Sequence, residues 1–226
     1  MTSAGKVLIV EAKKLRDVSK GINQVLSKYS NTIFVGSGFL NQPYLIKSSW
    51  TGFSKNAKDS FIKFVEMSDY EDIPENINLF EGNYSERPFF RQGFEFCKCA
   101  TSKIVAVLSP DDSLINKSVL NCKDLSNRVI TMPDDSLYLS MKKVGEYIQN
   151  NIENIQIEKY RLLTTAVVNN SQIQGHVLLI PYSLRSLGDP RLIEKVDWNL
   201  SIDYGLYYRK NSNEPCQKFI KYICDI

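Results

Sequence analysis

Residues 103–133 read KIVAVLSPDDSLINKSVLNCKDLSNRVITMP, and this stretch decides the predicted fold. It opens with the apolar run 104–108, which predicts a buried parallel strand because such strands are apolar on both faces. A turn follows at 109–114, and a second strand is predicted at 128–133. Proline and aspartate then mark a helix start at 133–136.

The composition predicts a folded protein that does not cross a membrane. The chain has 226 residues, of which 43% are hydrophobic and 11% aromatic, enough for one large domain or two small ones. The net charge of +3 is spread along the chain, so the footprint of a nucleic-acid surface is weak. No run has the length of a membrane span and no signal peptide is visible, so a cytoplasmic location is expected.

A long helix is predicted over residues 2–29, with Thr2 or Ser3 as its cap. Its apolar residues recur every three or four positions and form a seam for a partner helix. The alternative is an ordinary amphipathic helix that lies on its own domain. The seam comprises Leu8, Ala12, Leu15, Val18, Ile22, Val25 and Tyr29.

Strand and helix patterns alternate through the rest of the chain. Further strands are predicted at 32–38, 60–67, 77–82, 155–160 and 176–181. Helices are predicted at 41–56, 136–151, 164–173 and 215–223, with at most a short one at 69–73. Two extended stretches, 93–99 and 200–210, are predicted to cross between two lobes.

In this order the patterns resemble the LysR-type transcriptional regulators over the whole chain. Residues 2–6 are similar to the start of the family's linker helix, and 32–38 to its first sensor strand. The stretch 103–133 resembles the opening of its second subdomain. The chain departs from the family at Asn78, where an aspartate is usual, and at Gln174 and His176, where glycines are preferred.

The resemblance implies an α/β fold with two Rossmann-like lobes joined by two crossover strands, like a type 2 periplasmic-binding protein, preceded by the linker helix. Residues 1–30 would be the linker and dimerisation helix. Residues 31–98 with 206–226 would form lobe I, and 99–205 lobe II. The implied partners are a small-molecule effector and a second or further copy of the chain, as homodimer or homotetramer. DNA would be bound only through a winged helix-turn-helix that these residues do not contain.

The ends of strands and the starts of helices predict the ligand cleft, because α/β folds bind ligands at the carboxyl ends of their strands. Hydroxyls and free N–H groups there favour a small anion, whereas Asp134 favours an amine. Any single member could instead be a helix cap. The predicted cleft residues are Ser37, Gly38, Phe39, Met67, Ser68 and Gly82 in lobe I, and Met132, Pro133, Asp134, Ser136 and Thr164 in lobe II.

The cysteines and the single histidine are interpreted as structural. Five cysteines fit reduced thiols in a cytosol. Cys97 and Cys99 should face one side of a strand, but a metal or redox site is disfavoured because no histidine or second cysteine pair completes it. His176 shows no acidic partner and Cys122 no partner at all.

These observations predict that the protein is not an enzyme and needs no cofactor or metal. The alternative function is a stand-alone solute-binding protein of the same bilobal fold, which would have no use for a paired helix.

Overall fold

The computed structural model describes residues 2–28, 30–38, 43–67, 73–85, 92–135, 139–161, 163–187, 193–194 and 196–224. The helices are α1 Ser3–Lys28, α2 Tyr44–Phe53, α3 Lys142–Asn151, α4 Thr165–Ile173 and α5 Glu214–Cys224. The strands are β1 Thr32–Gly38, β2 Phe61–Met67, β3 Leu79–Asn83, β4 Phe94–Val107, β5 Val129–Pro133, β6 Gln156–Tyr160, β7 Val177–Pro181, β8 Ile193–Glu194 and β9 Ser201–Arg209.

The strands follow one path in the order β2-β1-β3-β9-β4-β7-β5-β6, with β8 paired to β4. β1, β2 and β3 are parallel, as are β5, β6 and β7. Between these groups, β9 and β4 run antiparallel to each other and to their outer neighbours. The predicted pair of α/β lobes joined by two crossover strands is therefore confirmed.

Lobe I is held by an aromatic cluster beneath the sheet. The ring of Phe219 on α5 packs edge-on against Trp50, with centroids 5.3 Å apart, and lies 4.9 Å from the ring of Phe53. Phe219 is fully buried with Ile33, Val35 and Leu206 of the neighbouring strands. The predicted closing helix thus packs back on the first lobe.

Lobe II buries β4 on both faces. Ile104 and Ala106 join one apolar cluster, while Val105 and Val107 join another. The Trp198 indole N–H donates to the carbonyl of Ile104 at 3.0 Å. This two-sided burial explains why 104–108 is an unbroken apolar run.

Three sequence predictions about these elements are wrong in detail. The run at 104–107 is antiparallel to β7, not parallel, because two-sided burial makes the run apolar whatever its direction. The predicted helix start at 133–136 fails, since Pro133 still pairs in β5 and α3 begins only at Lys142 after a 3₁₀ turn. α2 is shorter than predicted, and the short helix expected at 69–73 falls almost wholly outside the described residues.

Helix α1 leaves the described part of its seam, from Leu8 to Ile22, exposed. Its predicted cap is confirmed, because the Thr2 hydroxyl accepts from the N–H of Gly5 at 3.2 Å. Leu8 and Leu15 are 72% and 73% exposed, and Val18 and Ile22 are more than half exposed. These residues therefore do not pack on the rest of their own chain. Within the described ranges, no helix combines the length and apolar character of a bilayer crossing.

Candidate functional site

The predicted lobe I residues lie at the carboxyl ends of parallel strands. Ser37 and Gly38 end β1, and Gly38 is in register with Met67 at the end of β2. The Met67 side chain is buried in an apolar cluster with Phe80 and other residues, so it supports the predicted cleft from inside the core. Phe39 and Ser68 lie outside the described residues.

The predicted lobe II residues that the structure describes lie at the carboxyl end of β5 and at the amino end of α4. Met132 and Pro133 are buried at the end of β5 beside β6. The N–H of Asp134 donates to the carbonyl of Tyr160 at 2.8 Å, which extends the ladder by one residue beyond β5, and the residue at the N-cap of α3 is Met141. Thr164 does cap α4, since its hydroxyl accepts from the N–H of Val167 at 3.2 Å.

Ser136 falls outside the described residues. The remaining predicted residue, Gly82, lies on β3 opposite Gly205 of β9.

Beside Gly82, the sheet holds a buried carboxylate that was not predicted. Glu81 has no exposed surface and accepts from the N–H of Ile46 at 3.0 Å and from the Tyr204 hydroxyl. The N–H groups of Tyr44 and Leu45 also stabilise its charge. The Glu81 carboxylate therefore lies against the first turn of α2, where the helix dipole and the free N–H groups favour an anion. The anion position expected after β1 already holds a carboxylate of the chain itself.

Burial dominates the ionisation of this pair. It raises the pKa of Glu81 above its ordinary value of 4.5, although the hydrogen bonds from Tyr204 and the α2 backbone lower it. Burial, followed by the adjacent Glu81 charge, raises the pKa of Tyr204 far above its usual range. Tyr204 therefore stays a hydroxyl donor, and Glu81 is the member of the pair that titrates at moderate pH.

Replacing Glu81 with Gln is expected to flatten the dependence of thermal stability on pH. The folded chain binds the Glu81 proton more tightly than the unfolded chain, because the folded pKa is raised. This contribution to stability is full below the unfolded pKa and is lost as the pH rises through the folded pKa. Melting temperatures measured between about pH 4.5 and 7 should therefore fall less steeply in Glu81→Gln than in the original chain.

The matched control is Glu66→Gln, which alters an exposed carboxylate on β2. It should keep the original slope. Equal slopes in all three proteins would show that Glu81 does not titrate as a buried group.

The two lobes contact each other through hydroxyl groups next to Glu81. The Ser140 hydroxyl donates to the carbonyl of Tyr84 at 2.8 Å, and the Ser183 hydroxyl donates to the side-chain oxygen of Asn83 at 2.9 Å. Within lobe II, the N–H of Ser183 donates to the Ser102 hydroxyl on β4 at 2.9 Å. Such neutral hydrogen bonds each contribute little net free energy to the contact between the lobes.

A groove of about 720 Å³ lies elsewhere on lobe I. Its lining includes Asn31 and Ser60, which precede β1 and β2, together with Glu214 and Lys218 of α5. It therefore opens at the amino ends of the parallel strands, opposite the edge where ligands of such folds bind. We do not assign it to the cleft.

The cysteines and the histidine have partners that the sequence did not reveal. Cys97 forms a disulfide with Cys224, contrary to the expectation that all cysteines are reduced thiols. The Cys122 thiol lies 3.9 Å from the Tyr147 hydroxyl. His176 Nδ1 lies 3.4 Å from a Glu158 carboxylate oxygen, so an acidic partner is present after all.

Glu81 and Tyr204 are the functional candidates missed by sequence reasoning. The available signal was a glutamate inside the apolar strand predicted at 77–82, because a charge in a buried strand requires partners. Its partners lie 35 and 123 positions away, so the strand pattern could not name them.

Known proteins share this fold at low sequence identity. No protein-family model matches the sequence, and no curated protein matches it. The effector-binding domain of QuiR, in complex with shikimate, matches with a TM-score of 0.63 at 17% identity, over 86% of this chain and 95% of that chain. HinK, a LysR-family transcriptional regulator from Pseudomonas aeruginosa, matches with a TM-score of 0.59 at 14% identity, over 100% of this chain and 80% of that one.

A mutant of ArgBP from T. maritima matches with a TM-score of 0.57 at 13% identity, over 89% of this chain and 92% of that chain. At such identities these likenesses establish the architecture. The chain has the α/β fold of LysR effector-binding domains, which is a periplasmic-binding-protein-like fold.

Proposed function

We propose that this chain is the effector-sensing and oligomerisation part of a LysR-type DNA-binding transcriptional regulator that acts in the cytoplasm. The observation that carries the proposal is the bilobal fold shared with the QuiR domain in complex with shikimate. The exposed seam of α1 also supports the proposal, since it leaves an apolar face free for a partner helix. The match to HinK covers all of this chain, including α1. The division proposed is residues 1–30 for pairing, 31–98 with 206–226 for lobe I, and 99–205 for lobe II.

The ligand proposed is a small anionic metabolite bound between the lobes. Shikimate, held by QuiR, is a carboxylate. In this chain, the first turn of α2 already accommodates a carboxylate, that of Glu81. An effector carboxylate at this turn must share N–H groups with Glu81, so we expect tighter binding at lower pH, where Glu81 is neutral.

The effector would act by shifting a population. A ligand moves an equilibrium only through the difference between its affinities for the two arrangements. Here the arrangements would differ in how lobe II meets lobe I near Asn83 and Tyr84, where hydroxyls of Ser183 and Ser140 now bind. A change in lobe angle would then reach the paired α1 helices and the DNA-binding segments attached to them.

A thermal-shift experiment tests the ligand class. The probes are shikimate, benzoate and other small carboxylates, each compared with its uncharged amide. At least one carboxylate should raise the melting temperature, and Ser37→Trp should abolish that rise by filling the end of β1. Ser48→Trp, on the exposed surface of α2, should leave it intact.

An undiminished thermal shift in Ser37→Trp would contradict the assignment of the cleft to the end of β1. A shift produced by amides as strongly as by carboxylates would contradict the proposal that the ligand is an anion.

The second candidate function is a stand-alone solute-binding protein, favoured by the likeness to ArgBP. The two candidates differ in the role of α1, whose seam has no use in a monomer. Light scattering at micromolar protein concentration separates them: a dimer or tetramer supports the regulator, and a monomer supports the solute-binding protein.

A further inference from the structure

Three cysteines meet where β4 lies beside α5. The Sγ atoms of Cys97, Cys99 and Cys224 all lie within 4.8 Å of one another. Cys97 and Cys224 are joined as a disulfide across 127 positions of sequence, so the fold itself assembles the cluster. Cys97 is buried, whereas Cys99 and Cys224 are half-buried, which leaves the cluster reachable from solvent.

The backbone around the cluster is shaped to hold it. The pairing of β4 with β9 shifts register between Lys98 and Ala100, which makes a β-bulge at Cys99. Opposite the bulge is Gly205, where an added Cβ would lie 1.9 Å from the carbonyl oxygen of Cys97 and 3.0 Å from the N of Cys99. Bulges re-aim side chains, and the missing Cβ at Gly205 permits the close approach that fixes both cysteines.

We propose that, when all three thiols are reduced, Cys97, Cys99 and Cys224 bind one thiophilic d¹⁰ metal ion such as Zn²⁺ or Cu⁺. Metal–sulfur bonds of about 2.3 Å place the sulfur atoms about 3.8 Å apart in a tetrahedral site. Cys97 and Cys224 can take that separation only once their disulfide is reduced, and Cys99 lies within 4.8 Å of both sulfur atoms. A donor set made only of sulfur selects soft and borderline cations over Mg²⁺ and Ca²⁺.

Three protein ligands leave one coordination position for water or an exchanging thiol. A structural zinc site is closed by four protein ligands, so this cluster differs from one. Thiols bind metal ions as thiolates, so metal binding displaces protons and affinity should increase with pH. The disulfide form lacks two of the three thiolates and should not bind.

Cadmium is the probe, because cadmium–thiolate bonds give an ultraviolet charge-transfer band. The full chain is reduced with a phosphine, the phosphine is removed without oxygen, and Cd²⁺ is titrated in. One ion per chain is expected. Cys99→Ser, which leaves the Cys97–Cys224 pair available for its disulfide, should lower the affinity by more than about 10-fold, and Cys224→Ser should do the same.

The controls are Cys122→Ser and Cys216→Ser, which alter cysteines outside the cluster. Both should bind as the original chain does, and the oxidised chain should give no band. Far-ultraviolet circular dichroism confirms that each variant is folded. No band in the reduced original chain, or equal affinity in folded Cys99→Ser, would overturn the proposal. The site does not depend on the proposed function, and an inactive effector screen would leave its outcome unchanged.

Discussion

Replacing Leu15 with Lys is expected to disrupt the proposed pairing of α1 and to leave the chain monomeric. Leu15 is 73% exposed on α1 and lies in the middle of the predicted seam. In a symmetric pair two copies of the side chain are buried, each contributing about 2 kcal/mol, so the dissociation constant should rise about 1000-fold. Two lysines in one seam also repel each other. Sedimentation equilibrium at several protein concentrations measures the change.

The matched control for this variant is Asp17→Lys, which places the same side chain on the other side of α1. Asp17 is exposed and lies outside the seam. The control should keep the dimer, because exposed charges contribute little to stability. If Leu15→Lys and the original chain have the same mass in solution, α1 does not pair through this face.

Gly205→Ala is expected to cost about 3 kcal/mol or more of the free energy of unfolding, because overpacking against rigid backbone is expensive. The new Cβ would lie 1.9 Å from the carbonyl oxygen of Cys97. No side-chain rotation relieves that contact, since the opposing atom belongs to the backbone of β4. The two crossover strands would have to separate at the bulge. Urea unfolding measures the loss.

Gly21→Ala is the control, because an added Cβ there meets nothing within 4 Å. Gly21 lies within α1, where alanine is favoured over glycine by about 1 kcal/mol. This variant should therefore be no less stable than the original chain. Original stability in Gly205→Ala would mean that β4 and β9 do not approach so closely.

Local patterns predicted the elements of the fold well. The strand expected at 32–38 is β1, and the one expected at 176–181 differs from β7 by one residue. Short apolar runs bounded by turn residues carry this information within themselves. The direction of β4 was not predictable in the same way, since burial on both faces erases the alternation that separates an antiparallel strand from a parallel one.

Long-range partners account for most of what the sequence concealed about the site. Ser37 and Gly38 could be placed at a strand end by pattern alone, and their neighbour across the sheet confirmed the edge. The contact between the Glu81 carboxylate of β3 and the N–H of Ile46 in α2, and the pairing of Cys97 with Cys224, depend on segments that the fold brings together. Whether the predicted cleft residues contact a ligand stays a prediction.

The position of β9 between β3 and β4 sets an order of events during synthesis. Lobe II is nearly continuous in sequence, so its strands can pair as soon as they leave the ribosome. Strands β1, β2 and β3 of lobe I are made before lobe II, yet the crossover strand β9 that pairs with β3 and the covering helix α5 are translated only after lobe II. The nascent first lobe must therefore wait with exposed sheet edges, which is when chains of this kind are open to aggregation and chaperone capture.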